Sequence, residues 1–149
     1  MTIEDSKKVH FTLKPSTNAV LPIIWGAVAF VLIWKAGPVA WFIPTIALVL
    51  GAIGGIMQNL SLKENPSEIA TAASMLEIRN AMKVTKWGKR YLFFLWTSFA
   101  IYTGLSIWNG TNVPVNIFTS YFSFMCVREV VTFKATVELQ RQINGRTNG

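Results

Sequence analysis

Apolar residues in this chain come in long runs, and ionisable residues mark where the runs stop. Twenty uncharged positions separate Lys14 from Lys35, twenty-seven separate Lys35 from Lys63, and thirty-seven run from Tyr91 through Val127. A helix needs about 20 mainly apolar residues to cross the hydrocarbon of a bilayer. The last run is too long for one crossing, and its middle reads Trp108-Asn109-Gly110-Thr111-Asn112-Val113-Pro114, a turn composition. Lys35-Ala36-Gly37-Pro38 breaks the first two runs apart in the same way. The pattern therefore predicts four segments, about Ala19 to Trp34, Pro38 to Met57, Tyr91 to Trp108, and Pro114 to Val131. Stretches such as Ala27-Val28-Ala29-Phe30-Val31-Leu32-Ile33 lack the alternation of a barrel strand, so the segments read as helices.

The expected fold class is an all-α integral membrane protein with four transmembrane helices in two hairpins. Both termini are expected in the cytoplasm, with a cytoplasmic connecting helix and a cytoplasmic extension of the last helix. The expected divisions are an N-terminal tail over 1–18, a first transmembrane hairpin over 19–57, and an amphipathic connector over 58–90. A second hairpin over 91–131 and a C-terminal helix and tail over 132–149 follow.

Charge gives the orientation. Thirteen of the fourteen basic residues fall in the tails and the central connector, and the two hairpin turns together carry only Lys35. Basic residues near span ends stay on the cytoplasmic side. Composition agrees with membrane embedding, since 52% of the residues are apolar and only 14% are charged, where soluble domains carry about a quarter charged. The formal net charge of +7 is read as orientation and attraction to anionic lipid headgroups. It is not read as nucleic-acid binding, because no stacking-aromatic pattern accompanies the basic residues.

Within the connector, Pro66 and Glu68 suit a helix start, and Ile69, Ala72, Ala73 and Leu76 recur at helical spacing. Met75, Ile78 and Met82 form a second stripe, and Trp87-Gly88 is the expected bend into the third span. From Arg128 to Ile143 the pattern reads as helix again, and Asn144 to Gly149 reads as frayed tail. No small-residue cleavage site follows the first run, so that segment is expected to remain in the mature chain.

Several residues are candidates for function. Ala47, Gly51 and Gly55 are spaced by four, a ladder that lets another helix approach closely. Pro44 and Pro22 are expected to kink their helices. Asn116, Ser120 and Ser123 lie roughly on one face and could line a lumen shared by several copies. Arg128 and Glu129 fall just inside the boundary of the fourth segment, where Arg128 either snorkels to the headgroups or one of the pair fixes assembly. The six tryptophans mostly lie near segment ends, as in an interfacial belt.

No Asp, Glu, Lys or Arg sits at a predicted midplane, which argues against a self-sufficient ion-coupled transporter. Cys126 is the only cysteine and His10 the only histidine, so neither an intrachain disulfide nor a Cys/His zinc site is expected. No nucleophile elbow, metalloprotease motif, phosphate loop or dinucleotide fingerprint is present. The reading is a non-catalytic inner-membrane subunit, without cofactor or metal, that scaffolds a larger membrane complex of the secretion or transport class. Its expected partners are membrane lipids, including anionic headgroups, and other membrane subunits or copies of itself. The alternative is a homo-oligomeric membrane channel or pore.

Overall fold

The computed structural model describes residues 15–35, 39–64 and 75–147. They form five helices: α1 (Pro15–Lys35), α2 (Phe42–Glu64), α3 (Met75–Val84), α4 (Lys86–Asn109) and α5 (Val113–Thr147). The N-terminal tail with Lys7, Lys8, His10 and Lys14 lies outside the described residues, as do the start of the connector at Pro66 and residues 36–38.

The four-span expectation is corrected here. Among the described residues only α2 and α4 are long and apolar enough to cross a membrane, with mean hydropathy of 1.6 and 1.3 over their most apolar stretches. Of α1, the apolar stretch Pro22–Lys35 is shorter than a membrane crossing requires. α5 is long, about 50 Å at 1.5 Å per residue, but Asn116, Thr119, Ser120, Ser123, Arg128 and Glu129 interrupt its apolar part. Counting charge-free length overrates such a helix, since uncharged polar residues pass unnoticed.

The two-hairpin arrangement is corrected too. α1 and α2 follow one another in sequence, yet they scarcely touch. Both pack instead on α5, which also meets α4, while α2 packs on α4 and α3 on α4. α5 is therefore the central helix of the fold.

Local chemistry explains the element ends. Thr85 has extended φ and ψ (−78°, 152°), and its Oγ1 accepts the Gly88 N–H at 2.9 Å, capping α4. The chain thus breaks at Thr85, two residues before the expected bend. Gly110 ends α4 at φ 70°, where its N–H reaches the carbonyls of Ser106 and Ile107, and only glycine adopts that conformation freely. Asn112, at φ 47°, completes the turn. Pro44 does not kink α2: the helix begins at Phe42, so the proline sits in the first turn, where its missing N–H costs no intrahelical bond. Pro22 does lie inside α1. α5 continues through Thr147, past the expected start of the tail.

The packing levels give the directions of the helices. Gly51 faces Phe124 and Gly55 faces Arg128 and Val131, so α2 runs parallel to α5. α1 runs antiparallel to α5, with Trp25 stacked on Phe122 at 5.4 Å and the Cys126 thiol donating to the Pro22 carbonyl at 3.3 Å. Ile43, Ala47, Tyr102 and Phe124 meet where α2, α4 and α5 converge.

Candidate functional site

Beside the apolar cluster the interior holds many polar side chains, while many large apolar ones lie outside. Ser61, Ser98, Ser106, Asn116, Thr119 and Ser120 are essentially inaccessible, whereas Trp34, Trp41, Phe93, Trp96 and Trp108 are 64–80% exposed. This inversion organises the molecule into a packed seam, a turn-end junction and a charged end.

The seam joins α2 to α5. The ladder Ala47, Gly51 and Gly55 is buried and faces α5. A Cβ at Gly51 would lie 2.5 Å from the Phe124 carbonyl oxygen, and one at Gly55 would lie 2.7 Å from the Val131 Cβ. The small residues let two backbones approach at a distance no larger side chain permits. Farther along, the Asn59 side-chain amide donates to the Val131 carbonyl at 3.0 Å.

The turn-end junction is built on Asn116. Its Oδ1 accepts the Ala40 N–H at 3.1 Å and its Nδ2 donates to the Thr111 carbonyl at 2.7 Å. One amide thereby ties the link before α2 to the link before α5, giving partners to two loop groups. Ser120 is buried and Ser123 nearly so. The three residues proposed for a lumen are thus covered by the chain's own helices. The hydroxyls of Ser98, Thr119 and Ser120 have no hydrogen-bond partner among the described residues.

At the opposite end, Arg128 forms an ion pair with Glu129 and donates from Nη1 to the Tyr91 hydroxyl at 3.2 Å. Both ionic side chains are mostly buried, at 16% exposure. Arg128 therefore bridges α5 to α4 within the chain. Thr132 donates to the Arg128 carbonyl at 3.0 Å. Beside this group, Gln58 Oε1, Asn59 Oδ1 and Arg128 Nε are buried without a hydrogen-bond partner among the described residues.

α2 and α4 are stitched together at this end as well. The Ser61 and Thr85 hydroxyls are 3.1 Å apart and Glu64 Oε2 accepts the Trp87 N–H at 2.9 Å. Lys63, Lys83, Lys86, Lys89 and Arg90 are all exposed around this joint, and the Arg90 guanidinium lies 4.9 Å from the centre of the Trp87 ring.

Sequence reasoning singled out the glycine ladder, the lumen candidates and the Arg128–Glu129 pair, but missed Tyr91, Asn59, Ser61, Glu64 and Thr85. Thr85 carried a usable signal, a capping residue immediately before a long apolar helix. The others became visible only through contacts between helices. Among the described residues, no group of three or more His, Cys, Asp or Glu could hold a metal ion. No protein family, curated protein or solved structure matches the chain.

Proposed function

We propose that this chain is a membrane-embedded, non-catalytic subunit that holds together a larger inner-membrane complex of the secretion or transport class. The observation supporting this reading is the inverted distribution of side chains. A water-soluble fold places tryptophan, phenylalanine and isoleucine inside and leaves serine and threonine wet. This chain leaves many large apolar side chains exposed along α1, α2 and α4 and buries Ser61, Ser98, Ser106, Thr119 and Ser120, and extensive exposed apolar surface marks a lipid- or protein-facing side.

The two candidate spans fit the same reading. Only 33% of the apolar stretch of α2 and 22% of that of α4 is buried, whereas the core helix of a soluble protein is mostly covered. At 1.5 Å per residue they are about 35–36 Å long, against a hydrocarbon thickness of roughly 30 Å. Exposed Trp41 and Trp108 mark one end and the cationic joint marks the other. The positive-inside preference assigns the cationic joint to the cytoplasm.

Two features favour a structural partner role. The outer face of α4 carries exposed Ala100 and Gly104 between Trp96 and Trp108, and nothing lies within 4 Å of a Cβ built on Gly104. α5 also continues about 28 Å beyond Arg128, carrying exposed Phe133, Lys134, Glu138 and Arg141. A shared lumen on this face is disfavoured, because Asn116, Ser120 and Ser123 are covered within one chain.

The test is extraction from the native membrane into mild detergent followed by native mass spectrometry. Other polypeptides in fixed ratio support the subunit reading. A bare monomer, or a closed ring of identical chains, overturns it.

A further inference from the structure

We propose that the joint between the end of α2 and the start of α4 is a docking surface for anionic phospholipid headgroups, an inference that rests on the membrane reading above. Five exposed cations converge there: Lys63, Lys83, Lys86, Lys89 and Arg90. Glu64 is the exposed acid at this joint among the described residues, and its carboxylate is bonded to the Trp87 N–H. The joint therefore carries a strong local excess of positive charge.

Charge alone fits any anion, and the helical register narrows the choice. Lys86, Lys89 and Arg90 share one face of the first turn of α4, since residues three and four apart lie side by side. Phe93 follows Lys89 by four and Arg90 by three, and Trp96 follows Phe93 by three, so the face continues directly into these rings. Phe93 is 75% exposed and Trp96 68% exposed, and Val84 beside the joint is 72% exposed. The stripe passes from cationic to fully apolar over about 9 Å of helix from Arg90 to Trp96.

A free phosphate, an acidic peptide or a nucleic acid satisfies the cations and leaves Phe93 and Trp96 in water. An amphiphile whose anion is joined to hydrocarbon satisfies both halves of the stripe. The Trp87 ring under the Arg90 guanidinium sits at the level where indoles favour the headgroup layer. At the other end of the molecule, exposed Trp34, Trp41 and Trp108 are accompanied by Lys35 alone among the described cations. Anionic preference is accordingly confined to one leaflet.

The experiment uses the full chain reconstituted in phosphatidylcholine bilayers. Electron paramagnetic resonance reads the fraction of motionally restricted lipid for spin-labelled phosphatidylglycerol and for spin-labelled phosphatidylcholine. A cation close to an anionic surface contributes up to about fivefold in association. The expected phosphatidylglycerol preference is therefore at least roughly threefold at low salt, shrinking at high salt.

The triple variant Lys86→Gln/Lys89→Gln/Arg90→Gln is expected to bring the preference close to one. Lys134→Gln/Arg141→Gln, on the α5 extension, leaves it unchanged. Lys86→Arg/Lys89→Arg also retains it, and the single Lys89→Gln change lowers it by about half should the triple variant fail to fold. Equal restriction of the two lipids by the native chain overturns the proposal, and so does an undiminished preference in the triple variant. Absence of any restricted lipid is a different result, and it removes the membrane reading itself.

Discussion

Gly51 lies mid-way along α2 and Gly104 inside α4, ahead of its last turn, and the same substitution at each isolates the packing of α2 on α5. The atoms nearest a Cβ at Gly51 are all Phe124 backbone, 2.5 Å away at its carbonyl oxygen, 3.0 Å at Cα and 3.1 Å at the carbonyl carbon. Backbone atoms cannot rotate away, so Gly51→Ala forces the two helices apart. Carbon and its neighbours prefer separations of about 3.5 Å, which means a local shift on the order of 1 Å. Overpacking of this kind costs about 1–3 kcal/mol.

Gly104→Ala meets nothing within 4 Å and leaves only the gain in helix propensity, about 1 kcal/mol. That gain is common to both variants and cancels in their difference. Gly51→Ala should therefore unfold about 1–3 kcal/mol more easily than Gly104→Ala, while Gly104→Ala matches or exceeds the native chain. The assay is reversible denaturation in mixed detergent micelles, followed by far-ultraviolet circular dichroism. Equal stability of the two alanine variants would refute the close approach of α2 to α5.

Three further predictions address the joints between helices. Asn116→Leu leaves the Ala40 N–H and the Thr111 carbonyl unpaired and should cost about 2–4 kcal/mol, with amide hydrogen exchange accelerated at both links and not at the α3–α4 joint. Thr85→Val removes the cap of α4 and the hydroxyl facing Ser61, a loss of about 1–2 kcal/mol, and Thr85→Ser should restore most of it in the same denaturation assay. Tyr91→Phe removes the hydroxyl that accepts from Arg128 and should cost roughly 1–2 kcal/mol. Arg128→Ala should cost more, because Glu129 remains mostly buried without its partner, and a double-mutant cycle of the two positions measures their coupling.

The parts of the structure legible in the sequence are those a single helix expresses by itself. The Ala47–Gly51–Gly55 ladder is a spacing along one helix, and the Asn109–Gly110 turn is local chemistry, so both could be located before any fold was known. The central place of α5 could not. Its inward face is made of Asn116, Thr119, Ser120 and Ser123, which lower its hydropathy while suiting close packing. The separation of α1 from α2 was equally hidden, because short connection length suggests a packed pair and says nothing of a third helix between them. Tyr91 and Asn59 read as unremarkable side chains until Arg128 and the Val131 carbonyl came within reach. The lumen candidates were recognised as polar positions on one face, but only the fold shows that the face is turned inward.

On the membrane reading the exposed apolar surface faces lipid, and the boundary crosses α4 between its first turns. Single cysteines introduced at Lys89, Ala100 and Gly104 in a Cys126→Ser background test it directly in reconstituted bilayers, with a charged, membrane-impermeant maleimide as the probe. The serine hydroxyl can still donate to the Pro22 carbonyl in place of the thiol. Labelling should be rapid at position 89 and should occur at 100 and 104 only after detergent is added. Labelling at 100 and 104 as fast as at 89 in intact bilayers would contradict it.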